Sequence, residues 1–148
     1  GFAKFIDNYN IEEKKFNQAQ IIHNIIDYLD TAVPSSDPEL FQKRVGKAKD
    51  LAYKTRKKLE IASRDALEAS IHSKNFFREV TQSLRGYGLV IEKLERVYEK
   101  TKARLIVIAT HMHAGDGNVH VNIPVLSNDR ETMERAAKTA DRIMQEAV

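Results

Sequence analysis

The chain has no cysteine, which excludes disulfides, thiol catalysis and an iron–sulfur cluster held by its own side chains. It also lacks an apolar run long enough to span a bilayer, and no charged-then-apolar signal opens it. Charge of one sign is scarce too: 24 Lys and Arg stand against 21 Asp and Glu, and a net +3 selects no particular partner. Only three prolines punctuate 148 residues, so long helices are to be expected. With 42% hydrophobic and 30% charged residues, this is one domain's worth of soluble, helix-rich sequence. A chain of this length buries about two thirds of its unfolded surface. Gly1 opens on what reads as the middle of an amphipathic helix, and residues 143–148 carry no glycine or proline terminator. Both ends therefore read as cuts within a longer chain.

Helical spacing predicts helices over residues 2–8 and 11–30, or one long helix through both. Phe16, Ala19, Ile22, Ile26 and Leu29 form its stripe, widened by Ile21, Ile25 and Tyr28. The stretch 31–37 is the clearest linker, because Pro34 and Pro38 forbid a continuous helix. Asp37 is a good N-cap and Pro38 a good first helical residue. The next helix is expected to reach about Ser70 through Phe41, Val45, Ala48, Ala52 and Leu59, with Ala62, Ala66 and Ala69 beyond. Phe76, Phe77, Val80 and Leu84 continue the pattern to Gly86-Tyr87-Gly88, a helix end and turn. Residues 89–102 give a further helix with Leu94, Val97 and Tyr98 inward. His23 reads as a partly buried or capping residue, with metal binding as the alternative, and His72 as a surface or capping one.

Between Lys43 and Lys58 lie eight lysines or arginines and a single acid, Asp50. They suggest a rival function, a helical module for nucleic acid or another anionic surface. Their spacing reads as spread around the helix, which favours a solvated face. Tyr53 alone interleaves as an aromatic, thin support for base stacking, so nucleic acid is the less favoured partner.

The sharpest segment is 113–120, His-Ala-Gly-Asp-Gly-Asn-Val-His. Before it, residues 104–110 form an apolar, β-branched run. After it, Val119, Val121, Ile123 and Val125 alternate with His120, Asn122 and Pro124. Strand, glycine-bracketed loop and strand are predicted. Gly115 and Gly117 permit positive φ and close approach of a ligand to the backbone. Neutral imidazoles are common metal ligands, so His113 and His120 are the candidate pair. A catalytic zinc site needs a third protein ligand. His111 and Asp116 are further candidates, with packing and turn formation as their simpler roles. Residues 127–131 then read as a capping box, Asn128 as N-cap and Glu131 at the third helical position. Met133, Ala136, Ala137, Ala140, Ile143, Met144 and Ala147 would form the inward face of a last helix.

This eight-residue block resembles the signature of the C-terminal domain of FAD-linked oxidases, the group of D-lactate dehydrogenases, glycolate oxidase and D-2-hydroxyglutarate dehydrogenase. The close match covers residues 104–148, and residues 40–100 resemble a helical insertion of larger, iron–sulfur-associated members. The resemblance implies that His113 and His120 bind a divalent ion, such as zinc, that grips the substrate's carboxylate and hydroxyl. It places Asn118 near substrate and flavin. It implies further that a Ser-Gly-Glu-His-Gly-type segment, which this chain does not contain, supplies a third ligand and the base. FAD would be bound by a separate flavin domain of the same chain. The expected class is α+β, with an insertion-like helical region over 1–103 and strand, loop, strand and helix over 104–148, together one truncated domain. A small 2-hydroxy acid is the expected substrate of the whole enzyme, and this fragment alone is expected to be inactive. A homodimer, and a place in the cytoplasm or at the inner-membrane periphery, complete the expectations.

Overall fold

The computed structural model describes residues 1–61, 66–112, 119–125 and 128–147; residues 61, 66–69, 111, 112, 119 and 120 are described in backbone only. Among them are five helices and a two-stranded antiparallel sheet, an α+β arrangement. The helices are α1 (Phe2–Thr31), α2 (Pro38–Ile61), α3 (Ala66–Ser83), α4 (Gly88–Lys102) and α5 (Arg130–Ala147). The strands are β1 (Ala109–Met112) and β2 (Val119–Asn122). Residues 2–31 thus form one helix, with no break between the two stretches expected from the spacing. The described part of α2 ends at Ile61, and the expected passage through 62–65 lies outside the described residues.

Two units divide the chain: residues 14–103, and residues 1–13 together with 104–148. In the first, Ile21, Ile22, Ile25 and Leu29 of α1 are buried with Phe41, Val45, Ala48, Ala52 and Leu59 of α2. Phe76, Val80 and Leu84 of α3 and Val90, Leu94 and Tyr98 of α4 close this core. The stripe of α1 begins differently from its hydrophobic spacing. Phe16 is 48% exposed and Ala19 lies outside, while Asn17 and Gln18 are buried. Each buried amide has a polar partner that the pattern could not reveal. Asn17 Nδ2 donates to the Thr101 carbonyl at 2.8 Å, satisfying a C-terminal carbonyl of α4. Ser73 Oγ bonds Gln18 Oε1.

Boundaries follow local chemistry. Asp37 caps α2, accepting from the Leu40 N–H at 3.1 Å, and takes a φ of +39° that aspartate tolerates better than most residues. Its carbonyl accepts the Tyr87 hydroxyl at 3.1 Å. Gly86, at φ +98°, turns the chain between α3 and α4, and the Tyr87 N–H donates back to the Leu84 carbonyl at 3.0 Å. His23 is more exposed than expected, with Nε2 3.7 Å from Asp27 on the same helix face.

Candidate functional site

The unit that carries the histidine segment is built on a second core. Ile6 and Tyr9 of α1, Ile106 and Ile108 of the extended stretch before β1, and Ile143 of α5 are buried together. Phe2, Phe5, Ile123 and Ala136 pack against them. The apolar run 104–110 was expected to be a strand, but only Ala109 and Thr110 of it belong to β1. Ile106 and Ile108 are buried with side chains of α1 and α5 and pair with no strand among the described residues, so burial, not a ladder, accounts for their hydrophobicity.

One amide replaces the missing ladder. The Ile108 N–H donates to Asn10 Oδ1 at 2.8 Å, and Asn10 Nδ2 donates to the Ile108 carbonyl at 3.0 Å. The carboxamide thus satisfies both polar groups of Ile108, as a neighbouring strand would. Ile108 is the residue immediately before β1. On the other side of the sheet, Ile123, the residue after β2, packs against the same core. Both outer ends of the strand pair are therefore tied to this core.

The strands pair Ala109 with Asn122, Thr110 with Val121, His111 with His120 and Met112 with Val119. The downstream strand is shorter than its alternation predicted, ending at Asn122, two residues before Pro124. Proline has no N–H to offer a ladder. His120 thus stands in β2 directly across the ladder from His111. His113 and Asn118 fall in the connecting residues 113–118, outside the described residues, as does Asp116. Among the described residues no group of three or more His, Asp or Glu side chains is arranged to hold a metal ion. A recess of about 480 Å³, lined in part by Tyr28, Val33, Tyr87 and Lys93, belongs to the other unit and contains none of the expected site residues.

α5 closes the unit, and here two expectations change. Its N-cap is Asp129, not Asn128: Asp129 Oδ1 accepts the Thr132 N–H at 3.2 Å, and its carbonyl accepts the Met133 N–H at 3.0 Å. Asp129 Oδ2 also accepts from Arg104 Nε at 3.1 Å, an ion pair that Asn128 could not make. The Thr132 hydroxyl and N–H, and then Arg104, hold the Asp129 carboxyl below its ordinary range. The inward face is also rotated. Thr132, Thr139 and Ile143 are buried, whereas Met133 is 46% and Met144 69% exposed. Specific bonds explain part of that choice. Tyr9 Oη and Thr139 Oγ1 are 2.6 Å apart, and Arg135 Nη2 donates to Glu13 Oε2 at 2.6 Å. Thr139 Oγ1 donates to the Arg135 carbonyl, leaving its oxygen to accept from Tyr9. Burial pushes the Tyr9 hydroxyl above its ordinary range and keeps it protonated as the donor.

Helices and one antiparallel pair, with the His-Ala-Gly-Asp-Gly-Asn-Val-His sequence leading in chain order from β1 into β2, define an α+β domain. The chain belongs to the family described as FAD linked oxidases, C-terminal domain, whose profile matches residues 48–148. The match begins inside α2, so it takes in most of the helical region as well as the expected stretch 104–148. Membership implies FAD in the full-length protein. No curated protein and no solved structure matches the chain.

Proposed function

We propose that this chain is part of the substrate- and metal-binding domain of a flavin-dependent D-2-hydroxyacid dehydrogenase acting on D-lactate or glycolate. His113 and His120 are its metal ligands, with zinc the leading candidate, and Asn118 lies near substrate and flavin. Family membership over residues 48–148, which include the histidine segment, is the observation that carries this reading. The ladder adds a second support, since it fixes β2 and seats His111 opposite His120 in the backbone register. A divalent ion needs more than two protein ligands for a catalytic site, so His111 is the candidate within this chain and a carboxylate from elsewhere in the protein the other.

In this reading a flavin, held by another domain of the same chain, would supply the hydride acceptor for the carbon bearing the hydroxyl. His113 and His120 would hold a cation through neutral imidazoles, and that cation would supply Lewis-acid binding of the substrate's carboxylate and hydroxyl. Asn118 offers an amide that both donates and accepts beside the substrate. The base that takes the hydroxyl proton comes from outside residues 1–148, so the 148-residue chain alone oxidises no hydroxy acid.

The test is metal content, measured by mass spectrometry on the full-length protein, alongside turnover of D-lactate and glycolate. His113→Ala and His120→Ala are expected to lose the metal and most activity. Retention of stoichiometric metal with full turnover in either variant would refute the ligand assignment. Stoichiometric flavin uptake by the 148-residue chain would refute the division of labour.

A further inference from the structure

The helical register of α2 overturns the spacing argument made from sequence. At 100° per residue, Lys43, Lys47, Lys54, Lys57 and Lys58 fall within a sector of roughly 100°. All five are exposed. The buried residues Phe41, Val45, Ala48, Ala52, Thr55 and Leu59 occupy the opposite side of the helix. The remaining three basic residues of the run lie outside the sector. Lys49 is engaged by Asp30 at 2.7 Å, and Arg44 donates to the Arg85 carbonyl at 2.7 Å. Arg56 is exposed on another side.

The five lysines extend along about 22 Å of helix. None of them makes an ion pair among the described residues; Lys57 Nζ instead sits 4.7 Å from the centre of the Tyr53 ring. Asp50 is the one acid in the sector between Lys43 and Lys58, and Glu39 lies at its edge in the first turn of α2. Lys43 with Lys47, and Lys54 with Lys58, are like charges four residues apart, an arrangement that weakens a helix. The unit that contains α2 concentrates the same sign: residues 14–103 hold 18 Lys and Arg against 12 Asp and Glu, net +6. Residues 1–13 and 104–148 hold 6 against 9, net −3. The mild total charge therefore hides a polarised distribution.

We infer that this lysine face of α2 adsorbs to an anionic lipid bilayer. Three features favour a bilayer over a nucleic acid. The basic residues of the sector are all lysine, a point charge suited to a diffuse anionic layer, and lack the arginine fork that fits individual phosphates and bases. The opposite side of α2 is buried in the bundle, so the helix offers a planar partner one long face and does not protrude into a groove. Tyr53 provides a single exposed ring, too little for a stacking platform. Between Lys47 and Lys54 a recess of about 270 Å³, lined also by Asp50, Leu51 and Ser83, gives a headgroup room on this face. No apolar side chain of α2 needs to enter the hydrocarbon, so adsorption is electrostatic and reversible.

The experiment is co-sedimentation of the full chain with vesicles of phosphatidylcholine alone and with 30% phosphatidylserine, at 50 and 200 mM salt. Binding is expected only to the anionic vesicles and is expected to weaken at the higher salt. Each lysine near such a surface is worth about fivefold in affinity. The quadruple variant Lys43→Gln, Lys47→Gln, Lys54→Gln, Lys58→Gln should therefore lose a hundredfold or more. A control with Lys4→Gln, Lys74→Gln, Lys93→Gln and Lys100→Gln removes the same charge elsewhere and should keep most of the binding. Far-UV circular dichroism checks that both remain helical; should the quadruple lose helix, Lys47→Gln alone, with about a fivefold loss, decides. Equal losses in the two quadruple variants would reduce the effect to net charge and overturn the proposal. So would absence of binding at 50 mM salt, or tighter binding to duplex or single-stranded DNA than to the vesicles. Metal content and turnover play no part in this readout, so its failure leaves the flavoenzyme reading untouched.

Discussion

Replacing Asn10 tests how the histidine segment is held in place. Its carboxamide makes both hydrogen bonds to Ile108, at 2.8 and 3.0 Å, in a part-buried setting. Each such bond contributes about 1 kcal/mol net, and a peptide group left unpaired away from water costs about 1–3 kcal/mol. Water reaches a part-buried peptide in some measure, so Asn10→Ala should cost roughly 2–3 kcal/mol. Amide hydrogen exchange at Ile108 reports this locally, and that energy corresponds to roughly a 30- to 150-fold loss of protection. Asn10→Asp keeps the acceptor for the Ile108 N–H but sets a carboxylate against the Ile108 carbonyl. It should be no better than alanine at neutral pH and should recover in acid, where the neutral carboxyl can donate. Asn8 is exposed and provides the control. Should Ile108 exchange equally fast in Asn10→Ala and Asn8→Ala, the amide is not the anchor and the argument fails.

Gly86→Ala should cost about 1–2 kcal/mol, because the φ of +98° and not crowding is the obstacle: nothing lies within 4 Å of the added carbon. Gly88→Ala, at the start of α4 with equally open space and no positive φ, should be neutral or mildly stabilising, and a pair of urea midpoints separates the two. Asp129 links stability to pH. Its carboxyl is held below the ordinary carboxylate range in the folded chain, so its contribution is fully present above the unfolded value and is lost as pH falls through the lower folded one. Asp129→Asn keeps a capping oxygen but removes the titration, so urea midpoints from pH 5 to 2 should fall less steeply; parallel curves would refute the assignment.

The helices were legible because their signals are local. Pro38 after Asp37, and Gly86 beside Tyr87, mark ends within a few residues of the groups they satisfy. Features decided by distant partners were misread or missed. Asp129 displaces Asn128 as the cap of α5, and Arg104, 25 residues away, adds an ion pair that local sequence does not show. Thr132 and Thr139 are buried while Met133 and Met144 are exposed, an inversion no hydrophobicity pattern shows. Thr139 finds Tyr9 across 130 residues of sequence, which makes its burial tolerable. The lysines of α2 were misread for a different reason. Pairs such as Lys57 and Lys58 look scattered along a string, yet the helical period gathers five of the eight on one face.

The candidate site shows the same division between residue type and placement. The proposal that histidines within residues 111–120 serve ligand chemistry rests on residue type and family likeness. Which residue stands opposite His120 was not readable from type, because pairing depends on register, and a slip of one residue would bring Thr110 or Met112 there in place of His111. Register in so short a ladder has few residues to enforce it. Asn10 supplies the missing constraint from 98 positions away, holding Ile108 by both its polar groups just before β1 begins. Ile123 does the same by burial just after β2 ends. If His120 binds an ion as proposed, Asn10 is a positioning residue for that ion without touching it. Asn10→Ala should then weaken zinc binding by the full-length protein while Asn8→Ala leaves it unchanged. A metal affinity indifferent to Asn10, with Ile108 protection lost, would show that the ladder keeps its register unaided.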